Sequence, residues 1–131
     1  MRTEPNAPPW SRSLLAAVVA GLAAISAGCG YTARTLPTPA AEAPTLYPHM
    51  ITCAAKRSLL ATQNPQGLFV TADPVTTVSF VVIGGAFHMR TVVAGGKKED
   101  VPARIAAGDA IGEEVYRCAL RHRQREGDNR R

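Results

Sequence analysis

Two β-branched runs, residues 75–83 and 86–94, are separated by the pair Gly84-Gly85, and this arrangement constrains the fold more than any other part of the chain. A Gly-Gly pair accepts the positive φ angles of a two-residue hairpin turn at no steric cost. Placing the turn there fixes the register. Val82 then faces Phe87, Phe80 faces Met89 and Val78 faces Thr91 on one side, while Val81 with His88, Ser79 with Arg90 and Thr77 with Val92 fall on the other. One face is apolar and the other mixed, so the hairpin needs a cover on the first face. A shorter run, residues 67–72, precedes the turn dipeptide Asp73-Pro74 and reads as a third strand.

Helical periodicity flanks these strands. Residues 49–62 carry no breaker after Pro48 and set Ile51, Ala55, Leu59 and Thr62 on one stripe, with Cys53 and Leu60 beside it. In residues 101–122, Asp100 offers a cap, Pro102 falls in the first turn where a missing amide costs little, and Ile105, Gly108, Ile111, Gly112, Val115, Cys118 and Ala119 follow helical spacing. Gly108 and Gly112 each lower helix propensity by roughly 1 kcal/mol relative to Ala, so they mark either a break or a close approach to the sheet. The expected architecture is α+β: a small α-β-β-β-α domain over residues 49–124, an antiparallel three-stranded meander with two helices on one face. Residues 125–131 are expected to form a basic tail.

The first part of the chain follows different rules. Arg2 and Arg12 precede an uncharged stretch of Leu, Ala, Val and Ile that is shorter than the ~20 residues of a comfortable bilayer span, and it ends in small side chains before Cys29. Ile25-Ser26-Ala27-Gly28-Cys29 resembles the lipobox of bacterial lipoproteins, with Ala27, Gly28 and Cys29 matching the pattern and Ser26 standing where the class usually has a branched apolar residue. The resemblance implies a signal peptide over residues 1–28, a diacylglyceryl group on the Cys29 thiol, and an extracytoplasmic protein held to the bacterial cell membrane by lipid. Under the sorting rule of such lipoproteins, Gly30 implies the outer membrane where the host has two. An uncleaved single-pass anchor and an ordinary cleaved signal are the other readings of the same stretch.

Three cysteines are an odd number. With Cys29 lipidated, Cys53 and Cys118 are left as a pair that an oxidising compartment favours as a disulfide, the alternative being two buried free thiols. Such a bridge would close a loop long enough for roughly 4 kcal/mol of chain-entropy stabilisation, less any strain. Between Cys29 and the domain, residues 29–48 are rich in Thr, Pro and Ala, and Pro37, Pro39, Pro44 and Pro48 lead to the expectation of a disordered tether behind the lipidated N-terminus.

Charge points to a class of partner. Acidic and basic side chains balance between residues 29 and 116, whereas Arg117, Arg121, Arg123, Arg125, Arg130 and Arg131 face only Glu126 and Asp128. Export and the lack of interleaved aromatics argue against nucleic acid, which leaves an envelope protein, an anionic wall polymer or anionic lipid, with Arg121, Arg123, Arg125, Arg130 and Arg131 as the contacts. The competing reading is a solvated helix end whose arginines suit the helix dipole.

Catalytic motifs are missing from the sequence: there is no H-E-x-x-H, C-x-x-C or G-x-S-x-G, and His49, His88 and His122 are scattered. Neighbouring Glu113 and Glu114 would point about 100° apart on a helix, as surface charges rather than a paired acid and base. No cofactor, metal or enzymatic activity is expected. The sequence reading is a membrane-anchored, non-enzymatic interaction or assembly component of the cell envelope; the alternative is a lipid-tethered binding module for a small apolar or anionic ligand.

Overall fold

The computed structural model describes residues 28–130; most of the expected signal peptide, residues 1–27, and Arg131 lie outside the described residues. Five strands form one antiparallel sheet: β1 (Cys29–Thr35), β2 (Leu60–Asn64), β3 (Gly67–Asp73), β4 (Thr76–Ile83) and β5 (Ala86–Ala94), in the order β1-β5-β4-β3-β2. Helix α1 (Ala43–Lys56) carries the chain from one edge to the other, and helix α2 (Val101–Asn129) follows β5. Short 3-10 turns, Ala40–Glu42 and Lys98–Asp100, lead into the two helices.

The hairpin register is the one its glycine pair imposes. Val82 pairs with Phe87, Phe80 with Met89, Val78 with Thr91, and the mixed-face pairs follow. Gly84 and Gly85 both take positive φ, 60° and 78°. Phe80, Phe87, Val78, Leu68 and Val70 are fully buried on the helix side and meet Leu46, Met50, Val115 and Ala119.

The sheet has five strands where three were expected, and both additions come from misread segments. Residues 29–48, expected to be a disordered tether, form β1, a turn and the first half of α1. Their backbone is committed: β1 runs against β5 from Cys29 opposite Ala94 to Thr35 opposite His88, Leu36 N–H donates to the Phe87 carbonyl (2.8 Å), and the Thr38 and Tyr116 hydroxyls share a buried hydrogen bond (2.5 Å). Pro44 occupies the first turn of α1, where no amide is needed, but Pro48 lies inside the helix. An internal proline costs about 3 kcal/mol. Burial offsets it, because Ala43, Leu46, Tyr47, Met50, Cys53 and Ala54 form one unbroken buried stripe on both sides of Pro48.

That stripe also corrects the first expected helix. Ile51 and Ala55 face solvent, and the helix stops at Lys56 instead of reaching residue 62. Ser58 adopts a left-handed conformation (φ 58°), its amide donates to the Ala55 carbonyl, and the Leu59 amide donates to Ala54, both at 2.9 Å. This is the Schellman ending that usually uses glycine. Residues 60–64 then become edge strand β2. Helix α2 continues to Asn129, so the expected basic tail, residues 125–131, is helical up to that residue, and Asp100 makes no side-chain capping bond.

Gly108 and Gly112 are the seat of α2 on the sheet. A Cβ at Gly108 would lie 2.6 Å from Thr91 Cγ2, and one at Gly112 would lie 2.6 Å from Met89 Sδ and 2.8 Å from Val78 Cγ1. No side chain fits. The Thr91 methyl cannot rotate away freely, since its hydroxyl donates to Asp109 Oδ1 (2.5 Å).

Two substitutions test these assignments. Overpacking costs about 1–3 kcal/mol and helix propensity returns about 1, so Gly108→Ala should lower stability by up to about 2 kcal/mol in urea unfolding, whereas Gly127→Ala, with open space around it, should be neutral or stabilising by up to about 1 kcal/mol. Ser58→Gly should raise stability by about 0.5–1 kcal/mol by relieving the left-handed serine.

Candidate functional site

Cys53 and Cys118 are joined in a disulfide that ties α1 to α2, with their Cα atoms 6.1 Å apart. Helical spacing then decides what surrounds the bridge. Lys56 lies three residues beyond Cys53, and Arg121 and His122 lie three and four beyond Cys118, so all three emerge on the same side of the seam. Lys56 and Arg121, with Arg57 and Glu114, border a groove of about 130 Å³ whose floor is the disulfide and Val115, and His122 stands beside it, with a ring nitrogen within 4.8 Å of the two sulfurs. Glu114 is occupied by an ion pair with Arg57.

The centre of this cluster is His122. The Lys56 ammonium donates to His122 Nε2 (2.9 Å), a contact that requires a neutral imidazole protonated on Nδ1. Desolvation, followed by repulsion from Lys56, Arg125, His49 and Arg121, lowers the His122 pKa below its ordinary value. His49 stacks edge-on to His122 at 6.2 Å between centroids and lies 3.8 Å from the Glu126 carboxylate. The cluster of Cys53, Cys118 and His122 has donor atoms within 4.8 Å of one another, but both sulfurs are consumed in the disulfide and offer a metal no thiolate.

The five arginines expected to act as one basic tail are dispersed. Arg121 borders the groove and Arg125 is close enough to His122 to bear on its charge. Arg123 turns to the other side of α2, toward Glu42 (3.4 Å) and Thr45 (3.1 Å) at the start of α1. Arg130 pairs with Glu126 (3.3 Å), and Arg131 lies outside the described residues. Lys56 and Arg57 were missed because α1 was placed on the wrong stripe; with the disulfide in hand, their spacing from Cys53 would have found them.

At the opposite end of α2, Cys29 is exposed and unbridged at the first position of β1. The next residue, Gly30, is pressed against α2 so closely that a Cβ would come within 2.4 Å of Val101 Cγ1. Gly30 therefore has a packing role independent of any sorting signal. Among the described residues no helix is long and apolar enough to cross a membrane.

A second groove, of about 470 Å³, runs between β1 and α2. Thr32 (3.1 Å) and Thr91 donate to Asp109 Oδ1, and Glu113 pairs with Arg34 and Arg117. Its polar groups are satisfied by one another. Nothing in the sequence marked Asp109, because the threonines that hold it are far away along the chain. On the uncovered sheet face, His88 contacts Thr35 (3.4 Å) and the Arg90 guanidinium lies 5.7 Å from the Tyr31 ring centre. At the sheet end near Cys29, burial tends to raise the Asp73 pKa, but the Val75 amide and the Arg104 guanidinium, both at 2.9 Å, outweigh it and hold the carboxyl below its usual range.

Comparison with known proteins gives no matching family model, no matching curated protein and no matching solved structure.

Replacing both Cys53 and Cys118 by Ser should cost about 2–5 kcal/mol of stability, and non-reducing peptide mapping of the wild type should yield the Cys53–Cys118 crosslinked fragment. The pH dependence has a definite sign. A histidine whose folded pKa is depressed favours folding fully above its unfolded pKa, so the folded state should lose stability as pH falls below about 6.5 and through the folded pKa. His122→Gln should flatten that slope in urea titrations at successive pH values.

Proposed function

We propose that the chain is a cell-envelope lipoprotein, anchored by a diacylglyceryl group on Cys29, that acts as a non-enzymatic interaction component and meets an anionic partner at the far end of α2. The observation that carries this reading is the separation of its two ends. Cys29 begins β1 beside the first residues of α2, and α2 runs for 29 residues, about 40 Å at 1.5 Å per residue. No slack chain lies between Cys29 and the sheet. A lipid on Cys29 would hold the β1 end against the membrane and leave the arginine-bearing end directed away from it. Of the partners the composition suggests, an anionic wall polymer or an acidic envelope protein fits that placement better than the anchoring membrane itself.

The alternative, a small apolar ligand lodged between helix and sheet, has less support. At Gly108 and Gly112 α2 touches the sheet side chains directly, and the larger groove is bordered by Arg34, Asp109 and Glu113. Large, well-formed apolar cavities are the usual mark of such modules.

In the native host, intact-mass spectrometry of the membrane form should give a chain beginning at acylated Cys29, and Cys29→Ala should leave unprocessed precursor without acyl label. A membrane form that retains Trp10 would contradict cleavage and favour a single-pass anchor.

A further inference from the structure

We propose that Lys56, Arg121, His122 and Arg125 form a binding site for a phosphate group, seated over the Cys53–Cys118 disulfide in the seam between α1 and α2. The proposal deepens the reading that the far part of α2 faces the partner, and it rests on that reading for its role; the phosphate contacts themselves are argued from the cluster.

Three observations converge on this place. The first is an excess of positive charge that the fold assembles and leaves uncompensated. Among the described residues, Lys56, Arg121 and Arg125 form no ion pair with a carboxylate, whereas Arg34, Arg57, Arg104, Arg117, Arg123 and Arg130 all do; Arg90 on β5 and Lys97 and Lys98 in the turn before α2 are also unpaired but are separate from this cluster. The two carboxylates within reach are engaged, Glu114 by Arg57 and Glu126 by His49 and Arg130. The second is concavity. Lys56 and Arg121 stand on opposite helices across a groove of about 130 Å³, so their charges converge on one volume instead of pointing separately into solvent. The third is rigidity. The disulfide beneath the groove fixes the spacing of the two helices, which keeps an ammonium, a guanidinium and an imidazole in register before any ligand arrives.

The donor set suits phosphate. An ammonium supplies a point charge, and a guanidinium supplies paired N–H groups that match phosphate oxygens. His122 is the adjustable member. Its Nε2 accepts from Lys56, and desolvation together with the charges of Lys56, Arg125 and Arg121 favours the neutral ring. An entering dianion would draw the Lys56 ammonium toward itself and compensate those cations, so His122 would take up a proton and add a further donor. Anion affinity should therefore rise as pH falls. The sorting of the arginines gives specificity to the claim: Arg123 is drawn to Glu42 and Thr45 and stands outside the site.

The test follows the His122 imidazole by NMR in the full, processed protein held in neutral detergent. Inorganic phosphate should raise the His122 pKa toward or above 6.5 in a saturable manner, while sodium chloride at equal ionic strength should not. The double variant R121S/R125S should weaken phosphate binding roughly tenfold or more, since each lost contact is charge-assisted, while R123S should bind as the wild type does. A saturable response to soluble polyphosphate that exceeds the response to phosphatidylglycerol vesicles would assign the site to a phosphate polymer; the reverse order would assign it to a lipid headgroup. Either result supports the site. No pKa change with phosphate, an equal change with chloride, or an equal loss in R123S would overturn it. Retention of the same variants on the host's wall fraction separates the two readings. Intact phosphate binding in the wild type, with R121S/R125S retained as well as wild type, would support the site and overturn the partner-facing role of α2.

Discussion

The seating of α2 on the sheet is the contact on which the other parts depend. Gly108 and Gly112 remove the side chains that would otherwise hold the helix away, and Gly30 does the same on β1. Close approach lets Val115, Tyr116 and Ala119 reach the layer formed by Phe80, Phe87 and Met89. It also brings Asp109 within reach of Thr32 and Thr91, so a single carboxylate links β1, β5 and α2. Helix α1 is then positioned from α2 by the disulfide and by the buried stripe from Ala43 to Ala54. Displacing α2 would unseat both edges of the fold.

Local signals with one solution were legible in the sequence, and signals that required knowledge of a distant partner were not. Gly84-Gly85 permits one register, and all six cross-strand pairs follow from it. Cys53 and Cys118 were left as a pair once the lipobox resemblance assigned Cys29 to lipid, with two free thiols as the alternative, and the structure joins them. The prolines misled. Pro44 and Pro48 argue for irregular chain on local grounds, yet the buried stripe through Leu46, Tyr47 and Met50 outweighs them once a core exists to receive it. Residues 29–35 have little apolar content, and their place in the sheet depends on the free edge of β5, which no local pattern reveals. Ser58 closes α1 in a conformation that usually signals glycine, so the end of that helix went unseen and β2 with it.

The same partition explains the site. Arg121 and Arg125 stood out as part of a basic stretch, but the stretch is divided by the geometry of α2: Arg123 and Arg130 meet carboxylates, and Arg121 faces α1. Lys56 and His122 acquire meaning only across the disulfide. Charge counting along the chain finds the excess; the helix pairing decides which charges share a volume. In the proposed anchored state, the absence of a tether turns this fold into a spacer as well, with the lipid-bearing Cys29 and the cationic groove separated along a rigid helix.

Hydrogen exchange of residues 29–36 in the full, processed protein tests the central claim, that the domain begins at Cys29 with no free chain between. Amides of β1 that bond to β5, and the Leu36 amide that donates to Phe87, should exchange far more slowly than free chain and in step with the neighbouring β5 amides. Exchange of residues 29–36 at free-chain rates, with residues 76–94 still protected, would restore the tether and remove the basis for placing the cationic end away from the membrane.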